Sequence, residues 1–379
     1  MQQRSVWVAV ALTATAAVSG GCAIDAFDAQ EGEAQESEAT QAAIVVRPCG
    51  PEQCGENSPV VDVFKFHDAN LRGLQNSIGM SIDTMAGVAQ IVKAGTSYDL
   101  VVSGAKISGV RGNTTISGAQ LIGAEIPISQ GKSHFRIAIR DAREMSYFIG
   151  GGPKVGAYRF DLISGEGFVT ELCNNRKLLE KLIGEQGGME GDYARWELMG
   201  MRPWETVVFE GDRIDANRKE MSQDAQTDDT WFNFGCAGHN LAKLLLTHNT
   251  YHSQSAPGPA PGQAWERRQS TMKLLAADYC GDGVPFTVAG QKVVWRGDGM
   301  TFFTPPLQLE ARWYEKGALC LDVPRMVHPS SPFGAATYPD VKSSILATCV
   351  APGRPPPPSC RNHDPTQDDG GYRVSGNYW

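Results

Sequence analysis

Short apolar segments that alternate with polar residues recur along the first half of the chain. In residues 134–139, this alternation places Phe135, Ile137 and Ile139 on one face, as in a half-buried strand. Turn-forming Gly, Asn and Ser residues separate such segments about every eight to twelve residues. The pattern predicts a β-rich domain over residues 59–157, with a β-sandwich or barrel-like architecture.

Helical periodicity appears after the strand-rich region, first in a short amphipathic segment at residues 176–183. Residues 239–247 have three leucines on one face, and residues 265–279 repeat apolar side chains at helical spacing. The segment between them, 253–264, is rich in Pro and Gly and is therefore expected to be a loop. Two helices joined by such a loop are predicted to pack as an antiparallel pair.

Strands are predicted again after the second helix. Residues 286–288 and 292–295 flank Gly290 as a hairpin, and an alternating segment at 307–313 leads through a turn into 319–321. Residues 331–379 contain four consecutive prolines and several glycines, which predicts an irregular tail. The predicted fold class is therefore mainly β with one helix pair (α+β).

The N-terminus has the pattern of an export signal. An apolar core of about thirteen residues is too short to span a bilayer and has the length of a signal-peptide core. It ends in Ser19-Gly20-Gly21-Cys22, which resembles a bacterial lipobox except that Ser19 stands where Leu is usual. We therefore predict a lipoprotein signal peptide at 1–21 and acylation of Cys22; a plain secretory signal is the alternative. With Ala23 after the cysteine, we expect the outer membrane of a bacterial envelope, or secretion under the alternative.

The segment after Cys22 is strongly acidic. Residues 23–46 contain six acids and no Lys or Arg, so residues 22–58 are predicted to form a disordered tether. The formal net charge of −8 falls to −3 once these acids and Arg4 are set aside. A sequence pI near 5.5 argues against nucleic acid as a partner, because phosphate binding needs a basic face.

Nine cysteines support the same compartment. With Cys22 reserved for lipid, an even number remains, which in an exported chain indicates disulfides. Proximity in sequence allows a Cys49–Cys54 loop and a Cys349–Cys360 link across the proline run. No C-x-x-C pair occurs, which argues against a zinc ribbon or a thioredoxin-type site. The remaining four cysteines are Cys173, Cys236, Cys280 and Cys320.

The segment Ala277-Asp278-Tyr279-Cys280-Gly281-Asp282-Gly283 resembles the signature of the ADYC domain. That domain occurs in exported, often lipidated bacterial proteins, especially of myxobacterial type. The aromatic-Cys segment 231–238 and the Leu-Ala-Lys motif at 241–243 stand in the expected order. The resemblance covers about residues 158–324, and we assign an ADYC-like domain to 158–330. It implies an exported location and a disulfide framework, and it implies no catalytic residue.

The resemblance also implies a disulfide pairing. In the family pattern, cysteines occupy two positions that are Leu244 and Thr271 here. An antiparallel helix pair would bring these two positions together, and would place Cys236 opposite Cys280 one level along the same seam. We therefore expect a Cys236–Cys280 disulfide between the helices, which leaves Cys173 and Cys320 as partners.

Asp278 is the most notable ionisable residue. An acid at the end of a helix is unfavourable for the helix dipole, so a compensating contact is expected. The carboxylate either accepts hydrogen bonds from the backbone of Gly281 and Gly283, or forms an acid–base pair with His239 at the start of the other helix. The first interpretation is structural and the second catalytic.

No metal site or cofactor is predicted. His248 and His252 have the i, i+4 spacing of shared metal ligands, but no third ligand is near them in sequence. The chain has neither a G-x-S-x-G nucleophile elbow nor an H-E-x-x-H motif.

Three classes of function stay open. The favoured one is a non-enzymatic surface lipoprotein that binds an envelope or extracellular protein or glycan. The alternatives are an extracytoplasmic hydrolase that uses Asp278 and His239, and a structural component of the envelope. A binder should expose a recognition surface, and a hydrolase should have a pocket with converging polar groups.

Overall fold

A computed structural model describes the chain in several ranges. They are residues 55–56, 67–148, 153–173, 200–215, 219–222, 230–251, 261–287, 292–296, 307–325, 342–343, 345–347, 349–350, 355–360 and 373–378. Residues 48–379 form one compact unit. Several sequence predictions lie outside the described residues, namely the signal peptide 1–21, Cys22, Cys49, Cys54, His252, most of the tether 22–58 and the short helix at 176–183.

Antiparallel strands dominate the described residues, which confirms a mainly β protein. The first ten strands are β1 (Gly55–Glu56), β2 (Asp68–Asn70), β3 (Met80–Ile82), β4 (Thr84–Met85), β5 (Val88–Lys93), β6 (Thr96–Ser103), β7 (Lys106–Arg111), β8 (Thr114–Ser117), β9 (Glu125–Gln130) and β10 (Ser133–Met145). The others are β11 (Val155–Ser164), β12 (Val169–Glu171), β13 (Glu205–Glu210), β14 (Ile214–Asp215), β15 (Glu220–Met221), β16 (Trp231–Cys236), β17 (Lys292–Arg296), β18 (Leu307–Tyr314), β19 (Gly317–Leu321) and β20 (Arg373–Tyr378).

The larger sheet contains thirteen strands in the order β2-β16-β13-β11-β10-β9-β5-β6-β7-β8, with β12, β3 and β4 paired to β11, β9 and β5. The sheet is not closed, so the barrel-like alternative does not form. Instead, the tip of the β6–β7 hairpin folds back onto the sheet. The backbone N–H groups of Gly156 and Glu210 donate to the carbonyls of Ala105 and Gly104, at 2.9 and 3.0 Å.

The central strands of this sheet are buried on both faces. Every residue of β13 and β16 is buried. Val208 points into the core enclosed by the curled sheet, whereas Val207 and Phe209 point into a second core shared with the helices. The predicted boundary between residues 157 and 158 lies inside β11, which pairs with β10 and β13 across it.

Two α-helices of the described residues contribute to the second core, as the periodicity predicted. They are α1 (Asn240–Leu246), which packs against β16 and β13, and α2 (Pro261–Ala276), which packs against the smaller sheet. The two helices contact each other: Asn240 Nδ2 donates to the Met272 carbonyl at 3.2 Å, and Thr271 Oγ1 to Asn249 Oδ1 at 3.4 Å. Both ends of α1 thus reach the same turn of α2. This contact differs from the predicted register, which placed Leu244 opposite Thr271.

The smaller sheet has the order β1-β17-β20-β18-β19. The β18–β19 hairpin confirms the prediction for residues 307–321. The hairpin predicted between 286–288 and 292–295 is wrong, because β17 pairs instead with β1 and β20. The prediction of an irregular tail is corrected as well, since β20 lies between β17 and β18. These strands find their partners far away in sequence, which local patterns do not report.

The described disulfides correct the predicted pairing. Cys173 joins Cys236, Cys280 joins Cys349, and Cys320 joins Cys360, with Cα–Cα distances of 5.5, 4.9 and 4.8 Å. The expected Cys236–Cys280 and Cys349–Cys360 links therefore do not form.

The direction of the Cys236 side chain explains the first correction. A Cβ on Gly235 would lie 2.7 Å from the backbone nitrogen of Ala242, so position 235 faces α1. Because side chains alternate along a strand, Cys236 faces away from the helices. It therefore meets Cys173, which follows β12, rather than Cys280 at the end of α2.

Candidate functional site

The segment Ala277–Gly283, which we call the signature turn, follows directly after α2. Ala277 has φ +51°, which ends the helix, and the N–H of Asp278 donates to the Lys273 carbonyl at 2.9 Å. The N–H of Ala318 in β19 donates to the Tyr279 carbonyl at 3.0 Å. The turn is thus held between the end of α2 and the smaller sheet.

The Asp278 side chain is fully buried beside a lysine. Its Oδ2 atom accepts hydrogen bonds from Lys273 Nζ at 2.7 Å and from the Gly283 N–H at 3.0 Å. Its Oδ1 atom has no hydrogen-bond partner. Burial raises the pKa of the Asp278 carboxyl, and the Lys273 ammonium acts in the opposite direction. The predicted hydrogen bond from the backbone of Gly283 is therefore present, whereas the Gly281 N–H donates to the Asp278 main-chain carbonyl.

A second lysine lies against the same turn. Lys219 is buried, and its Nζ atom donates to the Gly283 carbonyl. Burial lowers the pKa of the Lys219 ammonium, while the charge of Asp278 acts in the opposite direction. One buried carboxyl group of the turn, that of Asp278, therefore lies within electrostatic range of two buried amines, those of Lys273 and Lys219.

Tyr279 belongs to a separate buried cluster. Its hydroxyl donates to Glu310 Oε1 at 2.5 Å. The same carboxylate accepts hydrogen bonds from Nε and Nη2 of Arg325, at 2.5 and 2.8 Å. Arg325 Nη1 donates to the Leu274 carbonyl at 2.8 Å, which ties the cluster to α2. Burial raises the pKa of the Tyr279 phenol well above its usual range, and the Glu310 charge acts in the same direction. The Tyr279 ring stacks on Trp313, with 5.2 Å between ring centroids.

Gly317 lets β19 approach the signature turn. Its φ is +121°, and a Cβ there would lie 2.8 Å from the Tyr279 carbonyl oxygen and 2.9 Å from the Gly281 nitrogen. Both neighbours are backbone atoms, which cannot move aside as a side chain can. The first position of β19 therefore requires glycine.

We expect Gly317→Ala to lower the free energy of unfolding by about 3 kcal/mol, because overpacking adds to backbone strain. Gly95→Ala is the matched control, since Gly95 also has positive φ (+75°) but a Cβ there meets nothing within 4 Å. The control should cost about 1 kcal/mol. Urea unfolding followed by tryptophan fluorescence measures both variants. Equal losses would show that the close approach to the signature turn has no energetic weight.

An open groove with a volume of about 390 Å³ is lined by residues of the larger sheet and of the segment that follows β8. Its walls include Ser117 and Gly118 on one side and the ion pair between Lys106 and Glu144 on another, with 2.6 Å between Nζ and Oε1. Tyr158 forms the base, and its hydroxyl accepts the N–H of Ile107 at 2.9 Å. Burial raises the pKa of Tyr158 to about 12. The groove thus has polar, accessible walls and a neutral aromatic base.

Comparison with known families matches the ADYC domain over residues 118–327, more than half of the chain. The chain belongs to the ADYC domain family. No curated protein and no solved structure matches it. The matched ADYC domain begins at a short 3₁₀-helix, Gly118–Leu121, and so includes part of the larger sheet and one wall of the groove. Its start lies forty residues before the predicted 158–330 region.

The other sequence candidates occupy different places in the ADYC protein. His239 immediately precedes α1 and is buried, and the Asp278 carboxylate makes its hydrogen bonds to Lys273 and Gly283 rather than to His239. His248 stacks on Tyr147, with 3.9 Å between ring centroids. Across the described ranges, no three His, Cys, Asp or Glu residues are grouped to hold a metal ion. No helix in those ranges is long and apolar enough to cross a membrane.

Sequence reasoning missed Glu310 and the cations near the buried acids Asp278 and Glu310. Lys273 and Lys219 lie near Asp278, and Arg325 contacts Glu310. One signal was present: Lys273 adjoins Met272 and lies within one turn of Ala276, on the apolar side of the predicted helix. A lysine on that side must either leave the core or find a buried acid. Nothing comparable in the sequence marks Lys219 or Arg325.

Proposed function

We propose that this ADYC protein is an exported, lipid-anchored protein of the bacterial envelope that acts as a non-enzymatic binding module. The lipobox-like segment that ends at Cys22 and the acidic tether support an anchor at the outer membrane. The three buried disulfides are typical of a protein that matures in an oxidising compartment.

One observation favours binding over catalysis. Asp278 and Tyr279 of the ADYC signature are enclosed in the core, where Lys273 contacts Asp278 and Arg325 contacts the Tyr279 partner Glu310, with all four charged side chains fully buried. A hydrolase needs its acid and base to reach a substrate and a water molecule. A hydrolase that uses Asp278 and His239 is therefore the less well supported alternative.

The groove above Tyr158 is the surface that we assign to binding. Its walls come from the start of β7, from Ser117–Ala119, from the end of β10 and from the start of β11, so a ligand there would contact both the start of the ADYC domain and the central strands. Lys106, Arg143 and Glu144 provide charges of both signs at its rim. Such a rim suits a polar ligand, either a glycan or a segment of another envelope protein.

Photo-crosslinking in intact cells tests this proposal. A photoreactive residue in place of Ser117, in the groove, should give a discrete crosslinked product, whereas one in place of the exposed Lys132 should not. In a Cys22→Ala background the Ser117 product should be lost together with membrane association, because the protein is no longer held at the envelope. If Ser117 and Lys132 give the same pattern, the groove is not a binding site and a structural role in the envelope is favoured.

A further inference from the structure

Three buried pairs of a lysine or arginine with a carboxylate in the described residues fall into two kinds. In two of them the cation is arginine: Arg268 contacts both oxygens of Asp212 at 2.6 and 2.8 Å, and Arg325 contacts both oxygens of Glu310. A guanidinium group remains protonated and is not a nucleophile. In both pairs, each carboxylate oxygen accepts a hydrogen bond from the guanidinium group.

The pair between Lys273 and Asp278 differs in both respects. Its cation is a primary amine, which is a nucleophile once it loses a proton. It reaches one carboxylate oxygen, Oδ2, and leaves Oδ1 without a partner although the side chain is fully buried. A buried polar atom without a hydrogen bond is costly, so this geometry needs an explanation.

We propose that Lys273 and Asp278 join in an intramolecular isopeptide bond between Nζ of the lysine and Cγ of the aspartate. The two groups are already in contact at 2.7 Å, in a site from which solvent is excluded. The inference does not depend on the proposed binding function.

The reaction balances without a cofactor or an oxidant. One proton of the Lys273 ammonium passes to Asp278 Oδ2, the oxygen that it contacts, and the neutral amine then attacks Cγ. In the tetrahedral intermediate Nζ is bonded to Cγ beside both oxygens, and this proton moves to Oδ1. The nitrogen loses its second proton to the departing hydroxyl group, the Cγ–Oδ1 bond breaks, and one water leaves. The product is an amide whose carbonyl oxygen is the former Oδ2.

The surroundings of the pair favour these steps. The Gly283 N–H donates to Oδ2, the oxygen that stays and that bears the negative charge of the tetrahedral intermediate. The unpartnered Oδ1 is the oxygen that leaves. Burial raises the pKa of the Asp278 carboxyl, which favours its protonated form.

Bond formation would also relieve the cost of burying two charges. An ion pair in the core pays a desolvation penalty that a neutral amide does not. The bond would close a ring from the last turn of α2 to the signature turn, across the positive φ of Ala277. It would therefore fix the end of this helix covalently.

Tryptic mapping of the full-length protein, reduced and alkylated, provides the test. Lys273 is a trypsin site between Arg268 and Lys292, so an unmodified chain yields peptides 269–273 and 274–292. With the isopeptide bond, trypsin does not cut after Lys273. We expect one peptide, 269–292, that is lighter than its calculated mass by one water, about 18 Da.

The charge-conserving variant Lys273→Arg is the matched control, because arginine keeps the positive charge but forms no amide. It should yield peptides 269–273 and 274–292 at their calculated masses. The proposal is overturned if wild type yields the same two peptides, or an uncut 269–292 at full mass. It is also overturned if the water is missing only from a free 274–292 peptide, which would indicate a succinimide at Asp282–Gly283.

Discussion

Replacing Arg325 with Met should lower the free energy of unfolding by about 3–5 kcal/mol. The substitution leaves the Glu310 carboxylate in the core with only the Tyr279 hydroxyl as a donor among the contacts described. Glu310 is fully buried, so water cannot replace the lost guanidinium. Urea unfolding, followed by circular dichroism, measures the loss.

Two further variants separate the buried charge from other effects. Arg136→Met removes an exposed partner of Glu125, where both side chains keep a third or more of their surface, and should cost less than about 1 kcal/mol. Adding Glu310→Gln to Arg325→Met should recover part of the stability, since the amide oxygen still accepts the Tyr279 hydroxyl and no charge remains. A loss no larger for Arg325→Met than for Arg136→Met would contradict the assigned role of the cluster.

Removal of the Cys173–Cys236 disulfide should have a comparable effect. The two cysteines are 63 residues apart, and in the chain-entropy model a loop of that length corresponds to about 4 kcal/mol. The double variant Cys173→Ala, Cys236→Ala should therefore unfold at a clearly lower urea concentration than wild type. Both sulfur atoms are buried, so the loss of packing acts in the same direction.

The single variant Cys173→Ala checks the pairing itself. Alkylation under denaturing, non-reducing conditions should label one new thiol, and peptide mapping should place it at Cys236. The sequence-based alternative makes a different prediction: if Cys236 were bonded to Cys280, the new thiol would lie elsewhere. That result would mean that Cys236 lies on the face of β16 that packs against the helices.

Local patterns in the sequence predicted α1, α2 and the β18–β19 hairpin, but not the burial of particular residues. The alternation of Leu307, Leu309, Ala311 and Trp313 correctly predicted β18. The same alternation places Glu310 on the opposite face, towards solvent. The register shifts between Leu309 and Ala311, so Glu310 is an extra residue in the ladder and points into the core. A β-bulge depends on the partner strand, here β20, and no local pattern announces it.

The candidate site was predictable to a similar degree. The contact between Asp278 and the backbone of Gly283 followed from the unfavourable position of an acid at a helix end. The disulfide partner of Cys236 could not be predicted, because it depends on whether Gly235 or Cys236 lies on the face of β16 that packs against α1. That choice is made by tertiary packing and not by the spacing of cysteines.

The position of β20 between β17 and β18 has a consequence for how the chain folds as it is made. All strands of the larger sheet lie within residues 68–236, so this sheet can assemble while the rest of the chain is still being synthesised. The smaller sheet needs Gly55–Glu56 at one edge and Arg373–Tyr378 in its interior. Until residues 373–378 emerge, β17 and β18 each have an unpaired edge to which a strand of another chain can bind. The nascent protein is thus most vulnerable to aggregation late in its synthesis, after its first core has already formed.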